Sequence, residues 1–293
     1  MKLSLADKII DVVIIVILVA FALSILYPFY FAFLYSIEGV NASAEGMAKY
    51  FVPRQFSDFA YSFVLKDKTL YTAFFVTTAR TLLGTLISVF FTAMYAYALS
   101  KKTLYFRNFY LRLGVITMYF GAGLIPFYML LSTLKLLNTF WVYIFPNMLS
   151  FYNAVLYMTF FSELPAALEE SAWIDGANDF YIFWKIIIPL STPVIATIAL
   201  FNGVFHWNAW FDAAYYVNDP NLQTLQSVLY KLISENKAVA ELAKYTTGEQ
   251  RSQSQLDAVK FATMIVAMIP ITFAYPFLQR YFVKGMMIGS IKG

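Results

Sequence analysis

The sequence predicts an all-α membrane protein with six transmembrane helices, and two observations carry that expectation. Of the 293 residues 60% are hydrophobic and only 13% are charged, against about 45–50% and about 25% in an ordinary soluble domain. The apolar residues also gather into windows at about 9–34, 71–99, 111–133, 139–161, 189–217 and 261–282, each near the 20 or so residues that a spanning helix needs. The same composition narrows the function. The net charge of +4 is small and scattered, which argues against a nucleic-acid partner. With no cysteine and one histidine, His206, neither thiol catalysis nor a histidine metal cluster is available, so the expected catalytic and metal residues are none.

The first window opens with Asp11 near its start and includes "AFA" at 20–22, which offers a cleavage-like site. The apolar run nevertheless continues through "LSILYPFYFAFLY", so the segment reads as a retained anchor rather than a signal peptide. The second window carries Arg80 in "FVTTARTLLG". The third and fourth are separated by "LKLLNT", which reads as a tight helical hairpin, and Pro126, Pro146, Pro270 and Pro276 fall inside spans. Proline is tolerated there because neighbouring helices re-satisfy the freed backbone groups.

Orientation follows from the basic residues of short loops. The connector "SKKTLYFRNFYLR" carries Lys101, Lys102, Arg107 and Arg112, Lys2 and Lys8 precede the first span, and Arg280, Lys284 and Lys292 follow the last. Both termini are therefore expected in the cytoplasm, with loops 36–70 and 216–260 outside; the second is Gln/Ser-rich from Tyr245 to Gln255. The expected organisation is an N-terminal helix and external loop (1–70), a transmembrane domain (71–282) and a cytoplasmic tail (283–293).

Between the fourth and fifth spans lies "LEESAWIDGANDFYIFWKIIIPLSTPVIAT", with Glu169, Glu170, Asp175 and Asp179 in a short stretch. It reads as two short helices around a glycine. Pro165 suits a first turn, and Ala166 to Ala172 are mostly good helix formers. Gly176 suits a left-handed ending. Asn178 can cap a second helix, "DFYIFWKI", that stops before Pro189, and Ala172 leaves a small face for close backbone approach.

The spacing Glu170-Ser171-Ala172, three residues, Gly176, nine residues, then Ile186-x-Ile188-Pro189 resembles the EAA loop of the membrane subunits of binding-protein-dependent ABC importers. Ser171 replaces the first alanine and Ile188 the usual leucine. "FHWNAWFDAAYY" resembles the tryptophan-rich segment of the carbohydrate branch, and "QRYFVKGMMIGSIKG" is similar to the close of maltose-type permeases. The N-terminal segment resembles permeases for oligosaccharides and polysaccharide fragments, the smaller permeases of alginate importers among them.

The resemblance implies a type I ABC importer transmembrane fold (71–282) with a cytoplasmic coupling helix, in a bacterial cytoplasmic membrane. It implies as partners an ABC ATPase dimer, a second homologous permease, an extracytoplasmic solute-binding protein and an oligo- or polysaccharide substrate. Glu169, Glu170, Ser171, Ala172, Trp173, Asp175 and Gly176 would then dock the ATPase. The chain has no G-x-x-x-x-G-K-[ST], so no cofactor is expected on it, and ATP and Mg are used by the partner.

Within the membrane, a mid-bilayer charge costs about 2.5–3.5 kcal/mol on insertion scales. Arg80 should therefore face the bundle or a wet cavity, or snorkel outward. Asn202 and His206, one turn apart, are expected to face the substrate pathway, with Asn208 as a further candidate and Trp207 in packing. A permease for another small solute, such as glycerol phosphate, remains open. So does an ion-coupled transporter or channel, although the paired intramembrane acids or inverted repeats it predicts are not seen.

Overall fold

The computed structural model describes residues 5–38, 56–243, 257–273 and 276. The closing "QRYFVKGMMIGSIKG", the Gln/Ser-rich stretch and most of the first external loop lie outside the described residues. Helices run in the order α1 (Leu5–Ile37), α2 (Phe59–Val64), α3 (Lys68–Ser100), α4 (Arg107–Tyr119), α5 (Leu124–Thr133), α6 (Phe151–Glu163), α7 (Ala166–Ile174), α8 (Asp179–Ile182), α9 (Ile188–Leu190), α10 (Thr192–Asn208), α11 (Phe211–Tyr216) and α12 (Leu225–Ala243). A last helix, α13, covers 257–273. The described residues contain no strand beyond one isolated bridge, Glu38 to Phe56. The all-α expectation holds.

The described residues form two compact units. One draws on the described residues up to Lys68 with those between 229 and 269, the other on 69–228 with the described residues from Pro270 onward. In the first, α1 exposes every residue from Lys8 to Tyr30. An isoleucine- and valine-rich rod of this kind is what hydrocarbon solvates and water does not. Its last turns are buried: Ser36 shares a hydrogen bond of 2.8 Å with the Tyr61 hydroxyl. Phe31 and Tyr35 meet Phe261 of α13, ring centroids 6.1 and 4.8 Å apart.

In the second unit α3 is the central element. Its buried face reads Ala73, Thr77, Arg80, Gly84, Ser88, Thr92, Ala96, steps of three and four that put them on one side of a helix. Apart from Arg80 these are small residues, which let helices approach closely in a membrane. Thr77 donates to the carbonyl of Ala73 at 2.8 Å, so the hydroxyl is satisfied within its own helix, and it accepts from the Leu225 amide at 2.8 Å. Around the C-terminal half of α3 a core gathers Ala93, Ala96, Tyr97, Tyr157, Phe161, Ile182, Phe183 and Ile187.

Two of the six expected windows are continuous helices long and apolar enough to cross a membrane, 8–37 and 68–100; two bent pairs bring the number among the described residues to four if each is one span. The third window is broken: α4 and α5 meet at 119°. The cause is local. In "FGAGLIP", Gly123 has φ +79, and Pro126 sits in the first turn of the new helix, where its missing N–H costs nothing. The fourth window opens in 3₁₀ turns, Phe140–Tyr143 and Phe145–Asn147, and only then becomes α6. The connector before it is no simple hairpin, since Lys135 and Asn138 both take φ 57. The fifth is divided at Ser191, where Asp179–Leu190 and Thr192–Asn208 meet at 82°, and again at Ala209, which is extended. Prolines 126 and 146 thus mark element starts rather than kinks inside spans.

Candidate coupling loop and intramembrane charge node

The acidic connector forms as two short helices about a glycine. Pro165 stands just before α7 (φ −60) rather than inside its first turn. At the other end Gly176 has φ +83. Its amide donates to the Trp173 carbonyl at 3.0 Å, and the Ala177 amide donates to that of Ala172 at 2.9 Å. These are the two bonds of a Schellman ending. Asn178 then caps α8, its Oδ1 accepting from the Tyr181 amide at 2.8 Å. The second helix does not stop before Pro189 as expected. It widens into a π turn, Phe183–Ile187, and continues as α9 with proline in its first turn. A wide turn of this kind passes a residue that cannot donate.

The residues expected to dock a partner divide into two sets. Glu170, Ser171, Trp173, Asp175 and Gly176 are exposed, and Ile174, beside them, is 87% exposed. Ala172 instead turns inward at 8% and belongs to the core around Tyr97 and Phe161. The close approach its small side chain permits is taken by this chain itself. Glu169 also turns inward, pairing with Lys101, the residue after α3. The Lys101 ammonium lies 4.3 Å from the Tyr97 ring centroid and 5.1 Å from that of Trp173. Burial works to lower its pKa, but the Glu169 carboxylate and the Tyr97 side chain together outweigh it and the net shift is upward. Trp173 Nε1 donates to Asp179 at 3.1 Å, tying the two helices across the glycine.

The second constellation lies on α3, α10 and α11. Arg80 is fully buried and does not snorkel. Nη1 donates to Asp212 Oδ1 at 2.9 Å and to the Ala209 carbonyl at 3.2 Å, and Nη2 pairs with Asp212 Oδ2. Nε points at His206 Nδ1 at 3.5 Å, and the guanidinium carbon lies 4.6 Å from the Tyr143 ring centroid. One cation therefore neutralises the acid of α11 and serves the free carbonyl where α10 ends. His206, 1% exposed, accepts at Nδ1, so a neutral ring carries its proton on Nε2. That ring lies on Gly84, where a Cβ would come within 2.5 Å of Nε2.

Asn202 is also packed on α3: it accepts from Ser88 Oγ at 3.2 Å and donates to the Ile198 carbonyl at 3.0 Å. Asn202 and His206 thus share a face, as their spacing predicts, and that face is buried here against α3. Trp207 is packed edge-on to Phe74, centroids 6.0 Å apart. Asn208 points away and lines a cavity of about 630 Å³ with Asn147, Trp210, Phe211 and Asp212. A larger cavity of about 920 Å³, bounded by Leu86, Phe90, Trp184 and Trp207, is almost wholly apolar and offers little to read a hydroxylated solute. Asp212, Tyr143 and Lys101 were not among the expected site residues. A usable signal existed for the first: Arg80 is the only charge between Lys68 and Lys101, and Asp212 the only one between Lys185 and Asp219. Lone opposite charges in two apolar runs have strong reason to pair.

Residues 1–288 match the family described as "Binding-protein-dependent transport system inner membrane component". Protein LplC of Bacillus subtilis (strain 168) is 39% identical over 266 residues, 89% of this chain and 88% of that protein. The polygalacturonan/rhamnogalacturonan transport system permease protein YtcP of the same organism is 34% identical over 290 residues, 98% and 99% of the two chains. Among solved structures, a chain of a bacterial ABC transporter involved in import of the acidic polysaccharide alginate superimposes with a TM-score of 0.85 at 32% identity, covering 96% of this chain and 99% of that one.

Proposed function

The chain belongs to the family of inner membrane components of binding-protein-dependent transport systems, and from that premise we propose that it carries oligosaccharides or polysaccharide fragments through the cytoplasmic membrane as one of two related permease subunits. An ABC ATPase dimer supplies the energy with ATP and Mg, and an extracytoplasmic solute-binding protein delivers the sugar. The likeness to the alginate importer chain over almost the whole length of both is the observation that most supports this reading, and polysaccharide transport by YtcP agrees with it. In this reading six spans cross the membrane, residues 71–282 form the type I transmembrane domain, and both termini, with the tail 283–293, are cytoplasmic. The exposed side of α7 (Glu170, Trp173, Ile174, Asp175) docks the ATPase, held in place by the turn at Gly176. Asn208 reaches an open cavity and stands on the substrate pathway, while Arg80, Asn202 and His206 form the buried packing that borders it.

Co-expression of the chain with its neighbouring permease, ATPase and binding protein, followed by reconstitution, tests the proposal. The complex should hydrolyse ATP faster when the loaded binding protein is present, and should accumulate labelled oligosaccharide in vesicles. Stimulation by a glycerol phosphate carrier but by no sugar carrier would replace the substrate class; purification without any P-loop ATPase would remove the reading.

A further inference from the structure

We propose that the Lys101–Glu169 ion pair is a coupling latch, fixing α7 to the cytoplasmic end of α3 so that displacement of the docked loop is delivered to α3. The proposal rests on the reading of α7 as the ATPase-docking helix. It changes the role of one residue: Glu169 is a positioning residue, while Glu170 is left exposed for the partner.

Three features of the geometry point there. A nine-residue helix entered from extended backbone at Leu164 and Pro165 and left through a glycine is weakly held by its own chain. Its inward contacts are Ala172 in the core and Glu169 on Lys101. The pair is not a bare surface contact, since its side chains are only 18% and 23% exposed. Two rings, Tyr97 on α3 and Trp173 on α7, also flank the ammonium. One ring comes from each element, so both sides of the joint grip the same cation. Finally, Lys101 directly follows the continuous helix that carries Arg80. At 1.5 Å per residue, the 21 steps from Arg80 to Lys101 place the latch about 31 Å along the axis from the node that binds Ala209 and Asp212. A shift of α7 gripped at Lys101 therefore moves α3 as a body, and Arg80 with it. A loop hanging on Ala172 alone could slide without moving α3.

The test uses the full reconstituted importer and reads sugar uptake, ATP hydrolysed per sugar and the binding protein's stimulation of ATPase activity. Lys101→Met and Glu169→Gln should each lower uptake about tenfold or more, with basal ATPase activity and co-purification of the ATPase within about twofold of the parent. Lys101→Arg should transport nearly normally, and the swapped pair Lys101→Glu with Glu169→Lys should recover uptake to within about threefold. Single variants with parental uptake and stoichiometry overturn the latch. So does a swapped pair that stays uncoupled: Lys101 and Glu169 would then act separately, Glu169 on the ATPase. Should the single variants fail to assemble, the swap alone decides. An assembled, transporting swap supports the latch and any other result overturns it. Loss of ATPase stimulation in the parental complex would instead count against the docking role of α7, which separates the two failures.

Discussion

Gly176→Val is expected to reduce sugar uptake by the assembled importer at least fivefold and to uncouple ATP hydrolysis from transport. Space is not the reason, since a Cβ at Gly176 would meet nothing within 4 Å. The reason is the backbone: φ is +83, where an L-residue costs roughly 1–2 kcal/mol and a β-branched one is a genuine outlier. That energy changes the population of a correctly closed turn by a factor of about 5–30. The turn carries the Schellman bonds from Gly176 and Ala177 to the end of α7, and the Trp173–Asp179 bond spans it. If it relaxes otherwise, the exposed face of α7 is presented at a different angle. Asparagine tolerates the left-handed region, so Gly176→Asn should retain most transport, and sugar affinity of the binding protein should be unchanged in both. Parental uptake and stoichiometry in the valine variant would show that the turn has no mechanical role.

Replacement of Arg80 by methionine should be the most destabilising single change in the spans. It keeps an unbranched apolar stem but removes the guanidinium, leaving the Asp212 carboxylate, only 15% exposed, without its cation. Removing one member of a buried pair costs about 3–5 kcal/mol, chiefly through the stranded charge. The Ala209 carbonyl loses its donor as well. The variant should accumulate poorly and melt well below the parent in detergent. Because the cost lies in the unpaired acid, Arg80→Met combined with Asp212→Leu should recover most of the melting temperature. A single variant as stable as the parent would mean that the pair contributes little. A double variant as unstable as the single one would mean that Arg80 acts through His206, Tyr143 and Ala209 rather than through Asp212.

What the sequence made legible were the features governed by local chemistry. Uninterrupted apolar length predicts α1 and α3, and glycine and asparagine preferences predict the turn at Gly176 and the cap at Asn178. It was less informative where local and long-range demands compete. Windows averaged over 20 residues conceal "FGAGLIP", whose glycine and proline outweigh its hydrophobicity and turn the chain by 119°. Ala172 shows the limit most clearly. Its small side chain announces close packing, but whether against this chain or a partner depends on which way α7 is rolled, and that is set by Tyr97, Phe161 and the Lys101–Glu169 pair. Arg80 had to be satisfied somewhere, but its partner lies 132 residues away, and only the packing of α3 on α10 and α11 brings the two together.

If residues 165–189 form the cytoplasmic docking loop of an importer permease, a single cysteine at Ile174 should report it. The parent has no cysteine, the position is 87% exposed, and it lies beside rather than within the latch and the glycine turn. In the assembled complex it should crosslink to the ATPase, and a membrane-impermeant maleimide should label it in inside-out vesicles but not in intact cells. Labelling from outside intact cells, or no crosslink to a co-purified ATPase at any position from Glu170 to Asp175, would mean that this loop is not the ATPase-docking loop.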